Sequence, residues 1–363
     1  MQLVLAPLVA LVAALVLTPQ VRRLAFRVGA LDSPDQRKVH QGVMPRLGGL
    51  AVYLSFVAAV LIGEPGTERL WGLLTGATVI MAVGMLDDIY RLPARIKLAG
   101  QVLAAVSVLP FGIVVTSVSN PFATNPHAPG LYLGLFARPL TVLWLVAVIN
   151  AVNLIDGLDG LASGTAFIAA LTMAAVIGLE GYLFHHSVHP GVMGLALTLA
   201  AASLGFLWYN FHPARIFLGD GGSMLLGFLL ASMAVMGPAK DATGISVIVP
   251  LVILGIPLAD TLFAVVRRAH RHLPIMQPDR EHLHHRLLDL GLNHRQAVLA
   301  IYGVNVVLGA SAILLTVISQ GQALVLAAGI FLAVAVTANR LGVTGQRFRT
   351  NYLKEEARRS RGM

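Results

Sequence analysis

Apolar residues fill this 363-residue chain in long runs that short polar segments separate. Most runs approach the roughly 20 residues that an α-helix needs to cross the hydrocarbon core of a bilayer. The pattern predicts about eleven transmembrane helices, with ten or twelve as alternatives, near residues 3–20, 47–63, 70–86, 97–117, 139–155, 161–179, 191–208, 223–238, 244–266, 297–318 and 322–339. We therefore expect an all-α, polytopic integral membrane bundle, with one transmembrane domain over residues 1–340 and a basic cytoplasmic tail over residues 341–363.

The composition agrees with a membrane bundle and excludes cysteine-based chemistry. Hydrophobic residues make up 56% of the chain and charged residues only 12%, whereas soluble domains carry about a quarter of their residues as charges. There is no cysteine, which excludes disulfides, thiolate catalysis and Cys-ligated metal sites. The net charge of +9 is typical of Lys and Arg placed beside anionic lipid, so we expect no nucleic-acid partner.

The basic residues are concentrated in alternate loops. Three of them, Arg22, Arg23 and Arg27, follow the first predicted span, and none precedes it. The loops on the other side hold only Arg69, Arg138 and Lys240. This asymmetry predicts an N-terminus outside the cell, a C-terminus in the cytoplasm and a first span that is retained rather than cleaved as a signal peptide.

The acids that could do chemistry fall on the predicted cytoplasmic side. They come from five segments and comprise Asp32 and Asp35, Asp87 and Asp88, Asp156 and Asp159, Asp220, and Asp279 with Glu281. Any one of them alone is typical of a helix cap or a solvated loop end. Their convergence at one end of the bundle, with few acids at the other end, indicates a polar site at the cytoplasmic face.

The segment "NAVNLIDGLDG" spaces Asn150, Asn153, Asp156 and Asp159 three residues apart. Neighbours at this spacing share a helical face, so Asn153 and Asp156 can reach a common ion. The alternative is that Asp156 or Asp159 caps the sixth helix, which explains one acid and neither asparagine. With Asp220 in "FLGDGGS", the carboxylate and amide oxygens favour a hard cation such as Mg²⁺ or Mn²⁺.

The predicted loop after the ninth span carries "PDREHLHHRLLDLG". Its histidines, His282, His284 and His285, have Arg280 and Arg286 beside them. Donors to a phosphate or sugar, a transition-metal site and an inert surface cluster are the three interpretations. If this segment is helical, His282 and His285 share a face and His284 points elsewhere. Acids, glycine-framed amides and many cations at a membrane interface suit phosphoryl transfer, which needs positioning and charge neutralisation more than covalent chemistry.

Five segments carry a family resemblance: "DSPDQRKVHQGVMPRLGG", "GMLDDIYRLPARIKLAGQ", "NAVNLIDGLDGLASG", "FLGDGGSMLLGF" and "PDREHLHHRL". They resemble the signature motifs of the polyprenyl-phosphate N-acetylhexosamine-1-phosphate transferases, glycosyltransferase family 4, and span residues 32–286. Members transfer a sugar 1-phosphate from a UDP-sugar to a polyprenyl phosphate such as undecaprenyl phosphate, release UMP and require Mg²⁺ or Mn²⁺. The resemblance implies an enzyme of the bacterial cytoplasmic (inner) membrane that starts a lipid-linked cell-envelope polysaccharide.

The histidine loop also bears on the donor sugar. Three consecutive histidines are typical of the branch that uses a UDP-muramoyl-pentapeptide, whereas His282-Leu283-His284-His285 is similar to the branch that uses UDP-N-acetylglucosamine. The resemblance therefore implies N-acetylglucosamine 1-phosphate transfer, with another UDP-sugar as the alternative.

The resemblance assigns roles by position. The implied metal ligands are Asp220, Asn153 and Asp156. The implied catalytic residues are Asp87, Asp88, Asp156 and Asp159. The implied substrate-binding residues are Asp32, Lys38, Arg46, Lys97, Asn150, His282, His284, His285 and Arg286. Two mechanisms stay open, a single displacement in which Asp87 acts as a base or positions groups, and a two-step route with a covalent aspartyl intermediate.

Two readings from other functional classes compete with an enzyme. A cation-coupled transporter would place acids near the bilayer midplane, within broken helices of matched halves. The acids here stand at the ends of predicted spans, and the sequence shows no convincing internal repeat. A non-catalytic scaffold would not explain why these acids are present. The sequence leaves the oligomeric state open, with a homodimer among the alternatives.

Overall fold

The computed structural model describes residues 2–32, 42–63, 66–118, 131–184, 190–237, 248–271 and 282–340. Lys38 and the predicted tail of residues 341–363 lie outside these ranges. The helices are α1 (Gln2–Val28), α2 (Gly48–Gly63), α3 (Glu68–Tyr90), α4 (Ala94–Ser107), α5 (Ala137–Ile155), α6 (Leu161–Phe184), α7 (Pro190–Asn210), α8 (Gly219–Met236), α9 (Ile248–Ile253), α10 (Gly255–His270), α11 (Leu283–Asp289), α12 (His294–Val317) and α13 (Gln320–Arg340). The strands form two antiparallel pairs, β1 (Leu31–Asp32) with β2 (Met44–Pro45) and β3 (Ser117–Val118) with β4 (Leu131–Tyr132).

The all-α class predicted from the sequence is confirmed. Nine helices in the described ranges are long and apolar enough to cross a membrane, and α2 is a shorter apolar helix of 16 residues. The predicted ninth span is divided into α9 and α10, with Leu254 outside helical geometry between them (φ −95°, ψ 18°). Pro257 accounts for the break, because its ring nitrogen cannot donate to the carbonyl four residues earlier. The exact number of crossings stays a prediction.

Helix α8 lies at the centre of the bundle, where it packs against α2, α3 and α5. Nearly every residue after its first turn is buried. Glycines near the first turn of α8 let the neighbouring backbones touch, since a Cβ at Gly84 would meet Gly221 and a Cβ at Gly49 would meet Gly222. These contacts bring the ends of α2 and α3 directly against the first turn of α8, where Asp220 lies.

Candidate active site

One guanidinium group joins carboxylates from three separate elements. Arg46, which follows β2, lies 2.8 Å from Asp220 through Nη2, 3.0 Å from Asp88 through Nε and 3.8 Å from Asp32 through Nη1. Burial alone would lower the pKa of Arg46, but Asp88, Asp220 and Asp32 together raise it. Arg46 is therefore a fixed cation at the point where β1, α3 and α8 meet.

Asp88 builds the first turn of α8. Its Oδ1 accepts the backbone N–H of Asp220 at 2.9 Å, and its Oδ2 accepts that of Gly221 at 3.0 Å. The first amides of a helix have no acceptor within it, so a carboxylate from α3 supplies the missing partner. Because both oxygens are engaged, with Arg46 as a further partner of Oδ1, the geometry favours a structural role for Asp88. The catalytic role inferred from the motif stays a prediction.

The turn between α3 and α4 places Asp87 opposite Lys97. Helix α3 ends at Tyr90, where Arg91 adopts a left-handed conformation (φ 55°) and reverses the chain. The Asp87 carboxylate accepts the N–H of Leu92 at 2.8 Å through Oδ1, and its Oδ2 lies 2.7 Å from Lys97 Nζ. Lys97 Nζ is also 3.3 Å from Asp220 Oδ1. Lys97 therefore links the α3–α4 corner to the carboxylate at the start of α8.

The last turn of α5 brings Asn153 and Asp156 to the same point. Asn153 donates through Nδ2 to Asp220 Oδ1 at 2.7 Å and to Ser223 Oγ at 2.8 Å. Asp156 is the residue after the α5 helix, and burial, with Asp220 and then Asp88 nearby, raises its pKa well above the usual range. Crowded carboxylates of this kind are stabilised by a divalent cation, and two carboxylates with an amide oxygen are donors that Mg²⁺ prefers. The residues present thus fit the metal that the motifs imply.

Two histidines that sequence reasoning did not select hold Asp159. Its Oδ2 accepts from His212 Nδ1 at 2.7 Å and from the N–H of Ala214 at 3.1 Å, while its own N–H donates to His294 Nε2 at 2.8 Å. The His212 and His294 rings stack with centroids 4.2 Å apart. The three residues offer one oxygen and two nitrogens within 4.8 Å of one another, but Nε2 of His294 already accepts a backbone proton. We interpret the group as a clamp on the loop between α5 and α6.

Several of these groups line a cavity of about 390 Å³, whereas Asp87, Asp88, Lys97 and Asn153 are not among its lining residues. Its lining comprises Asp32, Arg46, Asp156, Gly157, Leu158, Asp159, Asn210, His212, Phe217, Leu218, Gly219, Asp220, His285 and His294. Six residues predicted from the motifs are among them: Asp32, Arg46, Asp156, Asp159, Asp220 and His285. The acids that the sequence places at the ends of separate spans are thus brought together at one end of the bundle.

The structure does not bring Asn150 to this cavity. Its amide pairs with that of Gln101 on α4, donating to Gln101 Oε1 at 2.6 Å and accepting from Nε2 at 3.2 Å. Asn150 also donates to the carbonyl of Val146 at 2.8 Å. The reason is rotational, because three-residue steps wind around a helix by about 60° and carry the polar ridge away from one point. The substrate-binding role of Asn150 stays a prediction, and these contacts favour helix–helix packing.

The histidines of the last motif occupy three different environments. His282 lies in extended conformation before α11, so the helical pairing with His285 does not form. His284 is buried, with its Nε2 against Gly157, and burial, followed by the nearby His285, lowers its pKa to about 3. His285 lines the cavity, whereas Arg286 is buried at 7% exposure. Only one of these four residues therefore faces the space that a substrate would fill.

Comparison with known proteins adds independent information. The profile of the family described as "Glycosyl transferase family 4" matches residues 70–238. A Bacillus subtilis (strain 168) protein named "Probable undecaprenyl-phosphate N-acetylglucosaminyl 1-phosphate transferase" is 39% identical over 99% of this chain and 98% of its own length. "Decaprenyl-phosphate N-acetylglucosaminephosphotransferase" of Mycolicibacterium smegmatis is 37% identical over 88% of this chain and 84% of its own. An Escherichia coli (strain K12) "Undecaprenyl-phosphate alpha-N-acetylglucosaminyl 1-phosphate transferase" is 28% identical over 77% and 75%.

Proposed function

Because the chain belongs to glycosyl transferase family 4, we propose that it transfers N-acetylglucosamine 1-phosphate from UDP-N-acetylglucosamine to undecaprenyl phosphate or a similar polyprenyl phosphate, releasing UMP. The product is the first intermediate of a lipid-linked cell-envelope polysaccharide. The observation that carries the proposal is the full-length similarity to the Bacillus protein so named. The site supports it, because Arg46 lines the cavity and Lys97 lies 3.3 Å from Asp220, which also lines it. A diphosphate needs such cations together with a metal.

The metal in this proposal is Mg²⁺, with Mn²⁺ as a substitute, and its ligands are Asp220, Asn153 and Asp156. Asn153 donates through its nitrogen to Asp220 and Ser223, which leaves its amide oxygen for a ligand. When bound, the ion neutralises the donor diphosphate and stabilises the leaving UMP.

The chain's own residues do the positioning. Arg46 is held by Asp88 and Asp220, and Lys97 by Asp87, so both cations are aimed before substrate arrives. An oxygen of the lipid phosphate attacks the β-phosphorus of the donor, and the bond between this phosphorus and the oxygen bridging to the α-phosphate breaks. A phosphate monoester has its second pKa near 6, so the acceptor needs little deprotonation at pH 7. The contacts of Asp87 therefore favour holding Lys97 over acting as a base or a covalent nucleophile.

The membrane arrangement follows from the same proposal. The protein is a multi-pass membrane protein, and we place it in the bacterial cytoplasmic (inner) membrane with its N-terminus outside and its C-terminus in the cytoplasm. The cavity then opens to cytoplasmic UDP-sugars, while the polyprenyl chain stays in the bilayer. A homodimer is compatible with this arrangement. A cation-coupled transporter is disfavoured, because Asp88, Asp156 and Asp220 lie at helix ends rather than mid-span.

A reconstituted assay tests the proposal. Purified protein in lipid nanodiscs is given UDP-N-acetylglucosamine and undecaprenyl phosphate, with UDP-glucose, UDP-N-acetylgalactosamine and UDP-muramoyl-pentapeptide as alternative donors. We expect UMP only when the lipid phosphate and Mg²⁺ are both present, loss of the signal with EDTA, and recovery with Mn²⁺. A faster reaction with another donor would correct the sugar and keep the chemistry. No product from any donor would overturn the proposal.

A further inference from the structure

Asp260 is a buried acid outside the cavity whose two oxygens both contact the histidine motif. It lies on the inner face of α10 with only 4% of its surface exposed. Its Oδ2 is 2.9 Å from His282 Nδ1, and its Oδ1 accepts the N–H of Leu283 at 2.9 Å. A buried carboxylate is costly unless it is hydrogen-bonded. The hydrogen bonds that satisfy Asp260 come from His282 and Leu283, at the start of α11.

The first of these hydrogen bonds fixes the tautomer and the orientation of the His282 ring. With the Asp260 oxygen as the acceptor, we assign the shared proton to Nδ1 of His282. This determines which nitrogen of His282 is protonated and which way the ring faces. His282 is itself buried, at 5% exposure, and it is not among the residues that line the cavity.

The second bond fixes the helix that carries the other histidines. The N–H of Leu283 is the first amide of α11, a seven-residue helix, and has no acceptor within that helix. The next two residues of α11 are His284 and His285. His284 abuts Gly157 of the loop that follows α5, and His285 lines the cavity.

We propose that Asp260 is a positioning residue for the sugar 1-phosphate transfer. Through His282 and Leu283 it sets the placement of α11, and so holds His284 against Gly157 and His285 in the cavity. Its effect on catalysis rests on the proposed function, whereas its pairing with His282 does not. Sequence reasoning missed Asp260, because a single acid in a long apolar run has no motif around it.

Kinetics with matched variants test this role. Asp260→Asn keeps one oxygen and replaces the other with an amide that cannot accept from His282 or Leu283. We expect kcat/KM for UDP-N-acetylglucosamine to fall on the order of 100-fold, the size that a misplacement of about 1 Å produces. Asp260→Glu, which keeps both acceptor oxygens, is expected to recover part of this loss. The control is Asp289→Asn on the same short helix. Wild-type constants are expected, since the Asp289 side chain is 68% exposed and its 4.0 Å pair with Arg286 is therefore weak.

A spectroscopic readout separates positioning from general stability. With ¹⁵N-histidine labelling, the wild-type protein is expected to show a hydrogen-bonded Nδ1–H signal, which His282→Gln removes and Asp289→Asn leaves in place. Asp260→Asn is expected to lose this signal or convert it to the Nε2–H form. If Asp260→Asn retains both the signal and the kinetics of Asp289→Asn, the proposal is overturned. If the wild type transfers no sugar phosphate, the proposed function fails, and the NMR signal still decides the pairing. If Asp260→Asn does not fold, Asp260→Glu decides the kinetic question, because a loss on the order of 100-fold with both acceptor oxygens kept would contradict positioning by the carboxylate.

Discussion

At the scale of single residues, the site depends on like charges held together by few cations. Asp32, Asp88 and Asp220 share the guanidinium of Arg46, and Lys97 lies between Asp87 and Asp220. Within the described residues Asp156 forms no ion pair, and burial beside Asp220 and Asp88 raises its pKa despite the opposing effect of Arg46. It is therefore the carboxylate that depends most on an added ion.

This makes Asp156 the most direct probe of the metal ligands. Asp156→Asn removes one charge but keeps the size of the side chain, and we expect Mn²⁺ to bind about 10- to 100-fold more weakly. Electron paramagnetic resonance of free Mn²⁺ during titration measures this without substrate. Glu68→Gln is the control, since Glu68 is exposed at the opposite end of α3. Equal Mn²⁺ affinity in the two variants would remove Asp156 from the ligand set.

Asp87 tests how the acceptor phosphate is activated. If Asp87 only holds Lys97, Asp87→Asn should lower kcat on the order of 100-fold at every pH and leave the shape of the pH profile unchanged. If Asp87 were a general base, its loss would lower the rate less at high pH, because the acceptor phosphate is then already deprotonated in solution. Recovery of the variant's rate as the pH rises would therefore contradict positioning and support a base.

His284 gives a pH-dependent contribution to stability with a definite sign. Its pKa is lowered to about 3 in the fold, against about 6.5 in an unfolded chain. The unfolded state binds the extra proton between these values, so this contribution is full above about pH 6.5 and is lost as the pH falls. At about pH 5 the loss is about 2 kcal/mol from this residue.

Thermal unfolding in detergent measures this contribution. We expect the difference in unfolding midpoint between about pH 7.5 and about pH 5 to be smaller in His284→Gln than in the wild type. His270→Gln, at an exposed position, serves as the control with an unchanged difference. An identical pH dependence in wild type and His284→Gln would show that His284 is not held neutral.

At the scale of helices, two glycine contacts set the distance between α8 and its neighbours. A Cβ at Gly84 would overlap Gly221, and Gly221 gives its N–H to Asp88 at 3.0 Å. The same close approach of the two backbones therefore packs α3 on α8 and lets Asp88 cap the first turn of α8. Asp88 can reach the α8 amides only because no side chain separates the two backbones.

Gly84→Ala is expected to separate α3 from α8 and disturb the site without adding or removing a charge. Overpacking of this kind costs about 1–3 kcal/mol, and the displaced Asp88 should also lower kcat. The control is Gly303→Ala on α12, because a Cβ there meets nothing within 4 Å. Midpoints of thermal unfolding and UMP release are measured for both. Wild-type values for Gly84→Ala would show that the close contact is unnecessary.

The helices themselves were largely predictable, because their length and apolar character are set by the bilayer. Ten of the predicted spans correspond to single helices, one of them with a short 3₁₀ extension at Leu109–Phe111. The break within the ninth span was not predicted, although Pro257 is its local signal. A continuous apolar run hides it, since hydropathy reports burial in lipid and not helix continuity.

At the scale of the whole molecule, the sequence predicted that separate acids meet at one end of the bundle, and six motif residues do line one cavity. It did not predict Asp260, His212 or His294, whose partners come from distant segments. Each is an isolated polar residue, and its bonds are determined by how helices pack rather than by local spacing. Asn150 is the converse case, because its regular spacing suggested the site, whereas its side chain packs on Gln101 outside the cavity lining and its substrate-binding role stays a prediction.

The central claim is that this cavity transfers a sugar together with its phosphate to a lipid phosphate. The most direct measurement uses UDP-N-acetylglucosamine labelled with ³²P in its β-phosphate, together with undecaprenyl phosphate and Mg²⁺ in nanodiscs. We predict that the label moves into the lipid fraction as a diphosphate and that unlabelled UMP is released, with neither product formed by Asp220→Ala. Label that remained in released UDP would mean transfer of the sugar alone, and label that stayed in the intact donor would mean no transfer; either result would contradict the claim.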